Sequence, residues 1–499
     1  MCGIAGFFGE GTQATIDQMT DALAHRGPDG RGTWKHPKKP LYLGHRRLSI
    51  VDLEGGAQPM QTVHPRLVIT YNGELYNHRE LRQELTKAGH QFTSSHSDTE
   101  VILRAYAEWG PWMVDRFNGM WAFALYDFEK DRVLLSRDRF GQKPLFYHVG
   151  DYELIFASEL KALMQSPRID RSVSETGLIK YFSHGFIPAP HTYIKGANKL
   201  PAGHQLLFDI GTGEYEIQRY WEYQMEADPE HLQRSTSSLA QEFKELLQQS
   251  IQRRLVADVP VGCFLSGGID SSTVSKLAVD ISGAEHMKTF SIGFRESSFD
   301  ESRYAQTVAD ALRTDHLCEV LSLDQSKELL PKIIQQLDEP LGDPSLLPTY
   351  LVSKVARSKV KVVLGGDGAD ELFSGYDPFR ALAPSRLYQS FIPQFLHSRI
   401  REVMELLPVS HRNMSLDFKI KRTLRGLSYP PHLWAPLWMS PLDLPLLEQL
   451  FGRSLEVEDV YSEAITAWNV GFRSKNWHDA LTQFYVRLYL QDNILVKID

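Results

Sequence analysis

The spacing of apolar residues changes near residue 238, and this change divides the chain into two parts that must fold differently. Before it, short apolar runs alternate with polar turns such as Glu129-Lys130-Asp131. After it, apolar residues recur at intervals of three and four, which is typical of amphipathic helices. In a chain of 499 residues we therefore expect a first domain over 1–210, a polar linker over 211–237 and a second domain over 238–499.

The first part is predicted to form antiparallel sheets with a few helices, an α+β domain. The pattern places one helix at Asp98 to Trp109. It also predicts that a strand at 67–71 ends at Asn72-Gly73, a dipeptide typical of tight turns. The predicted strands are 67–71, 121–127, 132–136, 144–147 and 154–157.

The second part is predicted to be an α/β domain with a mainly parallel sheet. Helical stretches separate short apolar runs, and strands that alternate with helices form parallel sheets covered on both faces. The predicted strands are 259–265, 289–294, 317–323 and 360–364.

Charge and composition exclude several classes of protein. A formal net charge of −8 argues against nucleic acid or an anionic membrane as the main partner. The start of the chain lacks the pattern of a signal peptide, and no apolar run reaches the ~18 residues of a membrane span. Three cysteines, Cys2, Cys263 and Cys318, are too few for a disulfide framework. These features favour a cytoplasmic protein.

A glycine-rich string in the second part predicts an anion site. Ser266-Gly267-Gly268-Ile269-Asp270-Ser271-Ser272 follows a predicted strand and opens a predicted helix. Glycines allow a tight turn and close approach of a ligand, and the free amides of a helix start favour an anion. Asp270 could hold Mg²⁺ that bridges phosphates. No Gly-Lys-Ser/Thr follows, so a Walker-type kinase is rejected.

The same string resembles the pyrophosphate loop of the ATP pyrophosphatase family, and Leu364 to Phe373 resembles its second signature. The resemblance implies a Rossmann-like domain that binds ATP and Mg²⁺ and adenylates a substrate. It implies that Asp270 and Asp370 share the metal and that Asp367 lies near the reacting carboxyl. The ATP-binding residues that it implies are Leu265, Ser266, Gly267, Gly268, Asp270, Ser271, Ser272, Ile292, Gly365 and Gly366, with Leu265 and Ile292 at the adenine.

The first part begins with a candidate nucleophile, Cys2. If Met1 is removed, the thiol lies beside a free α-amine with a pKa near ~7.7–8.0, which can act as its general base. A cysteine at this position has little meaning by itself, and its companions decide the interpretation.

Four further strings, 25–30, 47–52, 71–77 and 97–100, resemble the class II glutamine amidotransferases, which have the αββα fold of N-terminal nucleophile hydrolases. The resemblance implies that Asn72 and the Gly73 amide form an oxyanion hole for a thioester-forming reaction on Cys2. It also implies that Arg47 and Asp98 hold the α-carboxylate and α-ammonium of glutamine. Glu74 is expected to help position the substrate.

Together the two parts resemble the glutamine-hydrolysing asparagine synthetases. The resemblance implies a reaction of glutamine, ATP and a carboxylate acceptor that gives an amide, glutamate, AMP and pyrophosphate. Aspartate is the leading candidate for the acceptor. Ammonia would pass between two sites inside the protein, and the acyl intermediate would be β-aspartyl-AMP. Whether the chain forms a homodimer stays open.

Departures from the family pattern leave the acceptor open. Gly365 stands where many relatives have Ser, and 343–349 lacks an Arg that one branch offers to aspartate. The chain stops at Asp499, where the family continues into further helices, so we expect a C-terminally truncated domain. The alternatives are a sugar acid or peptide acceptor and a sensing remnant without synthesis. A β-lactam-forming relative would lack Cys2.

Overall fold

The computed structural model describes residues 1–226, 228–296, 298–410 and 414–499. Two antiparallel sheets make up the first half, and a parallel sheet with many helices makes up the second. The first half contains strands β1 (Gly3–Phe8), β2 (Gly30–Lys35), β3 (Leu41–Arg47), β4 (Met60–Thr62), β5 (Leu67–Leu75), β6 (Gly119–Asp127), β7 (Arg132–Arg137), β8 (Phe146–Gly150), β9 (Glu153–Ala157), β10 (Asn198–Lys199), β11 (His204–Asp209) and β12 (Tyr215–Arg219). Its helices are α1 (Gln13–Ala22), α2 (His78–Lys87), α3 (Asp98–Trp109), α4 (Leu160–Leu163) and α5 (Glu175–His184), with a 3-10 helix at Gly110–Arg116.

The two six-stranded sheets stack face to face and carry helices on their outer faces. Their strand orders are β10-β8-β9-β1-β3-β2 and β12-β11-β7-β6-β5-β4. Apolar residues of both sheets, such as Ile4 and Val68, form the shared inner core. Ile16 of α1 packs outside the first sheet, and Val101 of α3 packs outside the second. Because each sheet buries both faces, the order of layers is α–β–β–α, as expected from the sequence.

The predicted strand end at Asn72-Gly73 is wrong. β5 continues through both residues to Leu75, and Gly73 lies opposite Trp121 of β6. The dipeptide is typical of a turn when it joins two strands locally. Here the long pairing with β6 stabilises an extended backbone instead.

The segment expected to be a linker is ordered at its start. β12, Tyr215–Arg219, pairs with β11 at the edge of the second sheet, so the chain leaves this sheet only after residue 219. A short helix, α6 (Pro229–Leu232), precedes α7 (Thr236–Arg254), which starts the second half.

The second half is built on a four-stranded parallel sheet of order β15-β14-β13-β16. Its strands are β13 (Val261–Phe264), β14 (Lys288–Phe294), β15 (Asp315–Leu321) and β16 (Val362–Leu364). Its helices are α8 (Ile269–Ser282), α9 (Ser302–Leu312), α10 (Leu323–Gln336), α11 (Leu346–Arg357), α12 (Ala369–Phe373), α13 (Asp377–Phe391), α14 (Gln394–Glu405), α15 (Leu416–Leu427), α16 (Trp434–Met439), α17 (Leu444–Phe451), α18 (Val457–Val460), α19 (Ser462–Gly471), α20 (Trp477–Phe484) and α21 (Leu495–Ile498). Short 3-10 helices lie at Ala284–His286, Pro431–Leu433 and Phe472–Ser474, and a π helix lies at Tyr485–Ile494.

The strand order reverses between β13 and β16, since β14 and β15 lie on one side of β13 and β16 on the other. Such a reversal opens a crevice at the carboxyl ends of the two strands, where α/β proteins bind ligands. Both glycine-rich strings follow these strands, so the fold brings them to one crevice.

The later helices form one apolar core that also includes part of the first half. Trp434, Tyr461 and Tyr485 are buried there beside Ile179 of α5. The two halves therefore share a core. No helix in the described part of the chain is long and apolar enough to cross a membrane.

Candidate active sites

One pocket in the first half gathers all six residues that the sequence predicts for glutamine chemistry. Cys2 lies at the start of β1, Arg47 at the end of β3 and Asp98 at the start of α3. The pocket lining contains Met1, Cys2, Arg47, Leu48, Ile50, Val51, Gly56, Gln58, Tyr71, Asn72, Gly73, Glu74, Ser97, Asp98, Thr99, Met120 and Lys143.

The Cys2 thiol is held by backbone contacts. The Leu48 N–H lies 3.3 Å from Sγ, and the thiol points to the Leu48 carbonyl at 3.6 Å. Arg26 Nε donates to the Cys2 carbonyl at 2.8 Å. Burial raises the pKa of the Cys2 thiol, so the thiol is protonated at neutral pH and needs a base before it can attack.

Asn72 presents an unused donor in this pocket. Its Nδ2 is buried and has no hydrogen-bond partner among the described residues. A buried donor without a partner is costly, and such groups are rare unless a ligand or water meets them.

Gly73 is required by the close approach of β6. A Cβ at Gly73 would lie 2.2 Å from the Met120 carbonyl oxygen and 2.8 Å from the Cα of Trp121. A side chain there would push the two strands apart. Gly73 therefore has no side chain where its backbone borders the pocket, beside the unpaired Nδ2 donor of Asn72.

Two buried carboxyl groups line the same pocket. Asp98 accepts hydrogen bonds from the Tyr71 hydroxyl at 3.0 Å and from the Leu75 N–H at 3.1 Å. Burial raises the pKa of Asp98, and burial together with Asp98 raises the pKa of Glu74 to about 8. A substrate ammonium placed between them would favour the ionised forms of both groups.

Arg47 holds the loop that covers part of the pocket. Its guanidinium donates to the carbonyls of Leu53 at 2.9 Å and Asp52 at 2.6 Å. A Cβ at Gly56 would lie 2.2 Å from Arg47 Nη2, so this loop needs glycine where it passes the guanidinium.

Sequence reasoning missed three residues that border Cys2 or its pocket. Tyr71 and Lys143 line the pocket, and Arg26 contacts the Cys2 backbone. Arg26 and Tyr71 occur inside strings quoted for the family resemblance, but no spacing pattern distinguishes any of the three from its neighbours.

The second candidate site lies at the crevice between β13 and β16. Gly366 touches the opposite loop closely, since a Cβ there would lie 3.0 Å from the Ser271 nitrogen and 3.2 Å from Asp270 Cβ. Within the first loop, Ser266 Oγ lies 3.0 Å from Ser271 Oγ and accepts from the Gly268 N–H at 3.2 Å. The two strings therefore form one cradle.

Three carboxylates, Asp270, Asp367 and Asp370, lie near this cradle. Burial, followed by the charges of Asp270 and Asp367, raises the pKa of Asp370. Carboxylates that repel one another in this way fit a hard divalent cation such as Mg²⁺, which prefers oxygen ligands. Among the described residues, no group of three or more His, Cys, Asp or Glu side chains is already arranged around a metal position.

The remaining predicted ATP residues are distributed less tightly. Leu265 packs with Ala305 and Ala309, whereas Ile292 packs against a different apolar cluster that includes Leu351. Ser272 Oγ is buried without a partner in the described structure, and Gly365 lies beside Asp367 at the end of β16.

The comparisons with known proteins match both halves. The family described as "Glutamine amidotransferase domain" matches residues 1–221, and the family "Asparagine synthase" matches residues 242–499. A putative glutamine-hydrolysing asparagine synthetase 2 of Methanocaldococcus jannaschii is 34% identical over 100% of this chain and 97% of its own length.

Two relatives from Bacillus subtilis extend this result. Glutamine-hydrolysing asparagine synthetase 3 is 35% identical over 100% of this chain and 86% of its own length. Asparagine synthetase 1 is 35% identical over 83% of this chain, and the match spans 65% of its own length. Because both family models match in this order and the relatives align over most of the sequence, this chain belongs to the glutamine-hydrolysing asparagine synthetase family of carbon–nitrogen ligases.

Proposed function

We propose that the chain transfers the amide nitrogen of glutamine to an ATP-activated carboxylate, with aspartate as the acceptor. Residues 1–210 are assigned to glutamine hydrolysis, 211–237 to the connection and 238–499 to amide synthesis. One observation carries the proposal: the Cys2 thiol shares a pocket with Asn72 Nδ2, a buried donor without a partner in the described structure.

In the first reaction Cys2 attacks the side-chain amide of glutamine. Once Met1 is removed, the α-amine of Cys2 takes the thiol proton, and sulfur bonds to the amide carbon. The oxyanion that forms is met by Asn72 Nδ2 and the Gly73 N–H, and preset donors of this kind supply a large share of catalysis. The C–N bond breaks, ammonia leaves with a proton, and water then releases glutamate from the thioester.

Glutamine is recognised by its charged end. Asp98 and Glu74 are two buried carboxyls whose pKa values burial raises, and the α-ammonium would stabilise their charged forms. Arg47 already lines this pocket and would pair with the α-carboxylate through its planar fork.

In the second reaction the aspartate side-chain carboxylate attacks the α-phosphate of ATP, pyrophosphate leaves, and β-aspartyl-AMP forms. Ser266, Gly267, Gly268, Ser271, Ser272 and Gly366 would hold the phosphates. Asp270 and Asp370 would hold Mg²⁺, which supplies positive charge to the phosphates when bound. Asp367 would lie beside the acyl group. Ammonia, passing inside the protein, attacks the acyl carbon and displaces AMP, which gives asparagine.

The test measures glutamate, AMP and pyrophosphate with glutamine, ATP, Mg²⁺ and a panel of acids. We expect AMP formation with aspartate and none with sugar acids or peptides. Cys2→Ala should abolish use of glutamine while ammonium chloride still supports AMP formation, and Cys318→Ala, at an exposed cysteine, is the matched control. If the protein releases glutamate but forms no AMP with any of the acids tested, the synthetase reaction is excluded.

A further inference from the structure

A second cleft lies between the first half and the C-terminal helices, separate from both candidate active sites. One wall is the segment after β12 with Trp221, and the other is formed by α19 and the π helix with Thr466 and Arg487. It encloses about 330 Å³. Sites for small molecules usually measure ~300–1,000 Å³.

Three guanidinium groups line this cleft, which we call the arginine cleft: Arg139, Arg219 and Arg487. Arg219 and Arg487 share a single carboxylate oxygen, Glu222 Oε1, at 2.8 Å and 2.6 Å. Arg139 donates to backbone carbonyls, including that of Asp115 at 3.0 Å. One shared carboxylate does not balance these guanidinium groups, so the cleft carries surplus positive charge in a chain of net charge −8.

The other acidic groups of the lining are neutralised elsewhere. Glu463 pairs with Lys180 at 2.5 Å and with His191 at 3.0 Å. Asp492 accepts the Ala189 N–H at 3.1 Å, and its charge is opposed by Lys199 and Arg137, which do not line the cleft. Because these carboxylates already have partners, they do not compensate the guanidinium groups of the cleft.

Arg487 also has an unused donor. Its Nη1 is buried, and no partner meets it in residues 1–226, 228–296, 298–410 and 414–499. Leaving a charged donor buried and unpaired is costly. Arg487 further belongs to the π helix Tyr485–Ile494, and π-helical turns are rare and often occur at functional sites.

The size and lining of the cleft select the kind of anion. Trp221 and Tyr223 line it and offer aromatic surface beside the guanidinium groups, and the ring of Trp221 is tilted against that of Phe140 at a centroid distance of 5.0 Å. A guanidinium matches a planar carboxylate through two parallel hydrogen bonds. Glu222, which lies between Arg219 and Arg487, disfavours a more highly charged phosphate.

We propose that the arginine cleft binds a small planar organic carboxylate with an aromatic or apolar body, through Arg487 and Arg219. This ligand is neither glutamine nor the acceptor, since the cleft contains none of the residues of either candidate active site. The proposal is independent of the reaction assigned above.

The test is calorimetric titration of the full chain with benzoate, in a buffer free of other carboxylates. We expect saturable binding with one site per chain. Arg487→Gln and Arg219→Gln should each weaken it at least tenfold, while Arg399→Gln, at an arginine with 78% side-chain exposure, leaves it unchanged. Arg219 has a 53% exposed side chain, so its variant decides the result if Arg487→Gln fails to fold.

Three outcomes would overturn the proposal. If titration of the wild-type protein with benzoate gives no saturable heat, the site is excluded. Benzoate binding that survives both cleft substitutions places the ligand in another pocket. Inorganic phosphate that binds more tightly than benzoate, and loses affinity with Arg219→Gln, assigns a different anion to the cleft. Glutamine hydrolysis measured on each variant reports whether the first half remains folded.

Discussion

At the scale of single residues, burial changes the chemistry of the groups around Cys2. The thiol and the carboxyl groups of Asp98 and Glu74 all have raised pKa values because burial disfavours their charged forms. The free pocket therefore favours neutral groups. A zwitterionic substrate would bring an ammonium that stabilises the charged forms of Asp98 and Glu74, and a carboxylate that pairs with Arg47.

Asn72→Ala removes the unpaired Nδ2 donor. If this donor meets the oxyanion, kcat for glutamine hydrolysis should fall by about 10² to 10³, with a smaller change in KM. Steady-state assays of glutamate release measure this, and Asn118→Ala, at an exposed asparagine, is the control. A decrease of less than tenfold would assign the oxyanion to other donors.

Glu74→Gln should change how stability depends on pH. The pKa of Glu74 is raised to about 8 by burial and Asp98, so the folded protein binds a proton more tightly than the unfolded chain. The Glu74 carboxyl therefore lowers the stability of the wild type as pH rises from ~4.5 to ~8, and the variant lacks this contribution. The variant should be more stable by roughly 4–5 kcal/mol at pH 8.5 and about equal at pH 4.5.

Urea unfolding at the two pH values measures this difference. Glu80→Gln, on the exposed side of α2, is the control. Its unfolding free energy should differ from that of the wild type by the same amount at both pH values. Equal pH profiles for Glu74→Gln and wild type would show that the Glu74 carboxyl ionises freely in the folded protein.

At the scale of elements, the pattern of apolar residues predicts whether a segment is a helix or a strand better than it predicts where that element ends. The helix predicted at Asp98 to Trp109 agrees with α3. The turn predicted at Asn72-Gly73 is wrong because β6, some 50 residues later in the chain, pairs with both residues. Local propensity cannot report a partner that is distant in sequence.

Gly267→Ala should distort the first loop of the cradle. Gly267 has φ +87°, and a Cβ there would lie 2.5 Å from the backbone at Tyr304 and Ala305. We expect a loss of about 1–3 kcal/mol in unfolding free energy and loss of ATP-dependent AMP formation. Gly268→Ala is the matched control for stability, since its Cβ meets only Ser266 Oγ at 3.3 Å. Equal stability of the two variants would contradict the strained geometry.

At the scale of the whole molecule, buried polar contacts join the two halves. Lys199, from the end of the first half, pairs with Glu339 at 2.6 Å, and both side chains are largely buried. Asp338 accepts the Lys161 N–H at 2.9 Å. These contacts hold the second half in a defined position relative to the first.

Lys199→Met should weaken this contact strongly, because it leaves Glu339 buried without its cation. We expect a loss of roughly 3 kcal/mol in unfolding free energy. Lys276→Met, at an exposed pair with Asp280, should cost less than ~1 kcal/mol. Denaturant unfolding measures both, and Lys199→Met/Glu339→Gln should recover part of the loss. Equal effects of the two lysine substitutions would show that the buried pair contributes nothing specific.

By itself the sequence determined the two fold classes, the order of the halves and six of the residues that line the Cys2 pocket, because these depend on local periodicity and short strings. Only the tertiary structure decided that Asn72-Gly73 lies within a strand, that Arg26 contacts the Cys2 backbone and Lys143 lines the pocket, and that an arginine cleft forms between the halves. Each of these depends on contacts between residues far apart in the chain, and burial then sets their pKa values and leaves donors without partners. Such contacts leave no local pattern for a sequence to display.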